Sequence, residues 1–148
     1  MKRGAEEAIR RDLDTRVVLL SGPRQVGKTT LSRSLFEGGE YFNYDLADHR
    51  VALQERSWER SAEIVVFDEL HKMKNWKAWL KGVFDVEGAR PRLLVTGSAR
   101  LDVARKMGDS LAGRFFAHRL HPFDVKELRG QVGAKECFDA LMRYGGFP

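Results

Sequence analysis

A doubly wound α/β domain, with a five-stranded parallel sheet and helices on both faces, is the fold class that three observations predict. Short apolar runs alternate along the chain with segments of helical periodicity, the pattern of strands joined by covering helices. A glycine-bounded loop, Gly22-Pro23-Arg24-Gln25-Val26-Gly27-Lys28-Thr29, separates the first apolar run from a helical segment. Ile64-Val65-Val66-Phe67 is apolar throughout, as expected of a strand covered on both faces, and runs straight into Asp68-Glu69. In such sheets ligands sit at the carboxyl ends of the strands.

Taken in order, residues Lys2 to Leu13 predict a basic amphipathic helix with Ala8, Ile9 and Leu13 at helical spacing. Arg16 to Leu20 is the first strand, and Thr29 to Phe36 the helix after the glycine-bounded loop, stopped by Glu37-Gly38-Gly39. Tyr41 to Tyr44 reads as a short second strand and Ala47 to Arg60 as a helix. Ile64 to Phe67 is the third strand. Trp76, Trp79, Leu80, Val83 and Phe84 then recur at helical spacing, the two tryptophans as core anchors. Arg92 to Thr96 is the fourth strand, ending in Gly97-Ser98, and helical turns fill Ala99 to Gly113. Phe115 to Leu120 is the fifth strand, and Phe123 to Arg143 is mostly helical. The sequence shows no internal repeat, low-complexity tract or linker.

The loop carries the first chemistry. Gly22, Gly27, Lys28 and Thr29 satisfy G-x-x-x-x-G-K-[ST]. The glycines let the backbone approach a ligand closely, and successive N–H groups can form an anion nest at a helix amino terminus. Gly22, Pro23, Arg24, Gln25, Val26, Gly27, Lys28, Thr29 and Thr30 are therefore the candidate nucleotide-binding residues. Lys28 would reach the β- and γ-phosphates, and the Thr29 hydroxyl would ligate Mg²⁺. Asp68, at a strand's carboxyl end, is the second candidate Mg²⁺ residue, and Glu69 beside it can orient or deprotonate the attacking water. Thr96 and Ser98 end the neighbouring strand, where a hydroxyl can sense the γ-phosphate; Ser98 is favoured, with helix capping as its alternative. Arg114, just before the fifth strand, is a candidate arginine finger for the nucleotide of an adjacent subunit. His71 has no second ligand at metal spacing, Asp45 suits a turn cap as well as a metal, and Cys137 reads as a buried thiol.

Composition sets the frame. The 148 residues are 43% hydrophobic and 32% charged, the balance of a single globular domain with a real core. One cysteine excludes an internal disulfide and any multi-cysteine zinc site, and a reducing, cytoplasmic location is the expectation. No apolar run approaches the roughly 20 residues of a membrane helix, so no membrane partner is expected. The net charge of +5 suits a polyanionic nucleotide and leaves DNA contact open.

Together these segments resemble the AAA+ ATPases, in particular the uncharacterised bacterial and archaeal AAA-domain ATPases that carry a C-terminal domain of unknown function. The resemblance rests on Gly22 to Leu31, Val65 to Lys72, Leu94 to Ser98, Ser110 to Arg114 and the closing Gly145-Gly146-Phe147-Pro148. It implies strand order 5-1-4-3-2, a sensor at Ser98 and a finger at Arg114. It also implies that residues 1–148 are one nucleotide-binding domain, truncated before a helical lid and a C-terminal domain. The implied activity is Mg²⁺-dependent ATP hydrolysis coupled to a partner or fused domain, through a homo-oligomer in the full-length protein, and weak or absent in the fragment. The alternative is a nucleotide-gated DNA- or protein-binding module with little hydrolysis. ATP is preferred to GTP because no Asn-Lys-x-Asp segment is present. Asp68-Glu69-Leu70-His71 spells a helicase motif, but 148 residues cannot hold two motor domains. A small-molecule phosphotransferase would need an acceptor pocket and an arginine-rich lid, and no segment offers both.

Overall fold

A computed structural model describes residues 3–36, 38–98, 101, 112–128 and 133–147. Its elements are α1 (Glu6–Leu13), β1 (Val17–Ser21), α2 (Lys28–Ser34), β2 (Glu40–Asn43), α3 (Ala47–Glu55), β3 (Ile64–Asp68), a 3₁₀ turn (Leu70–Lys72), α4 (Trp76–Glu87), β4 (Arg92–Thr96), β5 (Phe115–Arg119), α5 (Val125–Leu128) and α6 (Ala134–Tyr144). The five strands form one sheet in the order β2-β3-β4-β1-β5, and every pairing is parallel. That is the 5-1-4-3-2 order that the resemblance implies.

Strand geometry explains the two faces. Successive side chains of a strand point to opposite sides, so a covered strand must be apolar on both. Val17 and Leu19 of β1, with Val65 and Phe67 of β3, pack against Leu53 of α3, Trp58, and Leu80 and Val83 of α4. Val18 and Leu20, with Ile64 and Val66, pack instead against Ile9 and Leu13 of α1 and Leu31 and Leu35 at α2. Trp58, Phe67 and Trp79 meet edge to face at centroid separations of 5.3 to 6.1 Å, a favoured aromatic geometry. Trp76 and Trp79 are partly buried against this core, as their spacing predicts.

Several elements are shorter than the sequence suggests. α1 begins at Glu6 rather than Lys2; Lys2 lies outside the described residues. α3 stops at Glu55 because Arg56 takes a left-handed conformation (φ 53°) and the Ser57 N–H caps the Ala52 carbonyl. The expected helix from Phe123 splits into α5 and α6. Most of Ala99 to Gly113 lies outside the described residues.

Candidate nucleotide-binding site

The glycine-bounded loop leaves β1 at the carboxyl edge of the sheet and enters α2. Gly22 (φ 154°) is required by a close approach: a Cβ there would lie 2.5 Å from the Leu120 carbonyl oxygen. Gly27 (φ 92°) turns the chain into α2 from a left-handed conformation, and Gln25 (φ 61°) supplies a second reversal. Gln25, Gly27, Lys28, Thr29 and Thr30 line an open depression of about 470 Å³ over this turn. A smaller pocket of about 210 Å³ adjoins it between Val26, Gly27, Thr30 and Leu31 on one side and Arg3 and Phe123 on the other. There the Arg3 guanidinium lies 3.8 Å from the Phe123 ring centroid.

Lys28 is buried, and its Nζ donates to the Gly22 carbonyl at 3.0 Å and the Pro23 carbonyl at 2.6 Å. Burial pulls its pKa below the ordinary lysine value; the carboxylates of Glu69 and Asp68 pull the other way, and Arg24 adds to the lowering. Lys28 and the two carboxylates therefore share one electrostatic site, although 40 residues of sequence separate Lys28 from Asp68.

Asp68 ends β3 on the face covered by α2, in alternation with Ile64 and Val66. Only 7% of it is exposed. Its Oδ1 accepts from the Thr96 hydroxyl and from the Glu69 N–H at 3.1 Å, and its Oδ2 accepts from the Tyr41 hydroxyl. Burial, then the bond to Asp68, pushes the Tyr41 phenol up to about 12. Tyr41 is the site residue that sequence reasoning missed.

Glu69 follows in a left-handed conformation (φ 57°), uncommon for a residue with a side chain and costly unless its surroundings hold it. Its N–H donates to the Thr96 carbonyl at 3.0 Å, which ties it to β4. Its carboxylate lies 3.3 Å from Lys72 Nζ and 3.7 Å from His71 Nε2. Lys72 also binds Asp45 at 2.6 Å, so Asp45 is a lysine partner. Ser98 lies just beyond β4, and its carbonyl accepts from the Leu101 N–H at 3.0 Å, as a residue opening a helical turn does. Thr96, fully buried, is the β4 hydroxyl that touches Asp68.

Arg114 stands apart. It precedes β5 where Phe115 pairs with Val17, whereas the loop begins after Ser21, which pairs with Arg119. Five residues of strand, about 16 Å, separate the two. Arg114 Nε instead donates to Asp85 of α4 at 2.8 Å.

Comparison with known proteins fits this geometry. Uncharacterised proteins of Mycobacterium bovis and Mycobacterium tuberculosis are each 32% identical to the chain over 157 residues, covering 99% of it. The chain spans about a third of their length (33%). Among solved structures, the Walker-type ATPase of Pyrococcus abyssi superimposes with a TM-score of 0.60 at 18% identity, covering 99% of this chain and 64% of that one. The Hsp104–ADP complex of Saccharomyces cerevisiae gives 0.57 at 16% identity, covering 96% and 25%. These two share the fold. Residues 14–129 match the family described as "AAA domain", more than half of the chain, and the chain belongs to that family of P-loop ATPases.

Proposed function

We propose that this domain binds Mg·ATP at the carboxyl edge of its sheet and hydrolyses the terminal phosphoanhydride, passing the change of nucleotide state to a fused or partner protein. The observation that carries this reading is that the buried Lys28 lies within electrostatic reach of Asp68 and Glu69, with its Nζ held on the carbonyls of the loop that Gly22 and Gly27 shape. Backbone N–H groups from Gly22 to Thr30 cradle the phosphates, and Lys28 exchanges its two carbonyl acceptors for phosphate oxygens. The base enters the pocket between Val26, Thr30 and Phe123, beside the Arg3 guanidinium.

The residues present fit magnesium. It prefers hard oxygen ligands and is commonly held by one or two carboxylates plus substrate phosphates. Thr29 on α2 and Asp68 at the end of β3 offer such oxygens, and the Tyr41 hydroxyl already binds the Asp68 carboxylate. Among the described residues no group of three His, Cys, Asp or Glu could cage a metal alone, so the nucleotide completes the set. When bound, the ion neutralises charge on the β- and γ-phosphates.

Glu69 accepts a proton from water as the water oxygen attacks the γ-phosphorus. The bond from phosphorus to the bridging oxygen then breaks, and ADP leaves with its electron pair. For this the contact between Glu69 and Lys72 must open. Ser98 holds the attacking water or senses the γ-phosphate. Arg114, at the opposite edge of the sheet, serves the nucleotide of a neighbouring copy, so turnover depends on assembly. Residues 1–148 act as one nucleotide-binding domain of a longer protein, as the length of the relatives suggests.

Glu69→Gln tests the reading, because it keeps the shape and removes the base. ATP binding should persist while turnover under assembling conditions falls by about 10²-fold or more. Turnover at the wild-type rate would remove Glu69 from its role.

A further inference from the structure

Tyr41 stands on the edge strand β2, whose Asn43 pairs with Asp68, and it shares the α2 face with Ile64 and Val66. Its hydroxyl donates to Asp68 Oδ2. The ring is held from outside by the Arg33 guanidinium, 4.5 Å from its centroid. The phenol has one proton to give, and it goes to the Asp68 carboxylate oxygen. Asp68 Oδ1 is already taken by Thr96 and the Glu69 N–H. With donors from β2, from β4 and from the following residue on its two oxygens, the Asp68 carboxylate is held in one orientation.

We propose that Tyr41 is a positioning residue for the divalent cation: its hydroxyl holds the orientation of Asp68, and so fixes how much nucleotide affinity Mg²⁺ supplies. The inference rests on the Mg·ATP reading above. Tyr41 lies on β2, outside the loop that cradles the phosphates, so its effect is confined to the cation's share of binding. Partners that orient metal ligands typically change metal affinity by about 10–100-fold when removed.

Tyr41→Phe keeps the ring and the Arg33 contact and deletes one oxygen. ADP and ATP are titrated calorimetrically into wild type and variant, with Mg²⁺ and with EDTA, and both proteins are melted to establish that they are folded. The expected result is an unchanged affinity in EDTA and a Mg²⁺-dependent gain reduced by about tenfold. An equal gain in both proteins, or an equal loss with and without the cation, overturns the inference. Thr96→Val removes the other side-chain donor to Asp68 and should likewise reduce the Mg²⁺ gain while leaving the affinity in EDTA unchanged. A Thr96→Val variant that is folded and keeps the full Mg²⁺ gain would show that donors to Asp68 do not govern the cation. Failure of the wild type to bind nucleotide with or without Mg²⁺ would instead overturn the proposed function itself.

Discussion

The two edges of the sheet are both charged, yet they are built on opposite principles. At the carboxyl edge Lys28, Asp68 and Thr96 are buried, and Asp68 is bonded through three donors, from β2, from β4 and from Glu69 just after β3. At the amino edge Arg114 pairs with Asp85, and Arg90 and Arg92 pair with Asp14. Both aspartates there are about half exposed. Exposed ion pairs contribute little, because water and salt already screen them. A buried carboxylate or ammonium is expensive and is tolerated only where every lone pair and proton finds a partner. The cost is concentrated at one edge, where the helix amino terminus and the glycine-bounded loop also converge. That asymmetry, more than any single residue, marks the functional end of the molecule.

The largest stability effect should come from breaking the buried network. Asp68→Ala leaves the Thr96 and Tyr41 hydroxyls without this acceptor, while the Glu69 N–H keeps the Thr96 carbonyl, and each orphaned buried donor costs about 1–3 kcal/mol. A chemical denaturation curve should therefore shift by several kcal/mol. A change too small to measure would mean that water replaces the carboxylate and that the edge is wetter than its burial implies.

A second, smaller effect is confined to alkaline pH. The Tyr41 phenol titrates at about 12 when folded, against an ordinary value of 10.0, so the folded state holds its proton longer than the unfolded chain does. The resulting stability is fully present below pH 10 and is lost as pH rises toward 12. Tyr41→Phe lacks this decline, so the difference in melting temperature between wild type and variant should shrink across that window. A difference that stays constant would detach the phenol from the network.

The smallest effect belongs to the amino edge. Asp85→Ala should change stability by no more than about 0.5 kcal/mol, since its bond to Arg114 is exposed to solvent. It should, however, release Arg114 for a neighbouring subunit. A loss comparable to that of Asp68→Ala would erase the distinction between the edges.

What was legible in the sequence follows from distance along the chain. The loop from Gly22 to Thr30 and the strand ending at Asp68 are local patterns, and the structure builds the expected strand, turn and helix around them. Continuous apolar runs exposed the doubly covered strands for the same reason. Tyr41 was read only as part of a strand, because its bond to Asp68 spans 27 residues and depends on the register that sets Asn43 opposite Asp68. The Thr96 hydroxyl took the contact with Asp68 because β4 lies directly beside β3, whereas Ser98 lies past the strand end. Arg3 and Phe123, nearly the full chain apart, could meet only once α1 and the segment after β5 were folded onto one side of the sheet. α3 ends early because Arg56 adopts a left-handed backbone that no residue-type pattern announces.

Calorimetric titration of Mg·ATP into the wild type and into Lys28→Ala tests the central claim most directly. In the proposed function Lys28 is the full positive charge set against the phosphates, and charge-assisted bonds are worth about 1.5–3 kcal/mol each. The account predicts binding of one nucleotide per chain by the wild type and a loss of at least about tenfold in affinity in Lys28→Ala. Equal affinity in the two proteins, or no binding by the wild type, would contradict it.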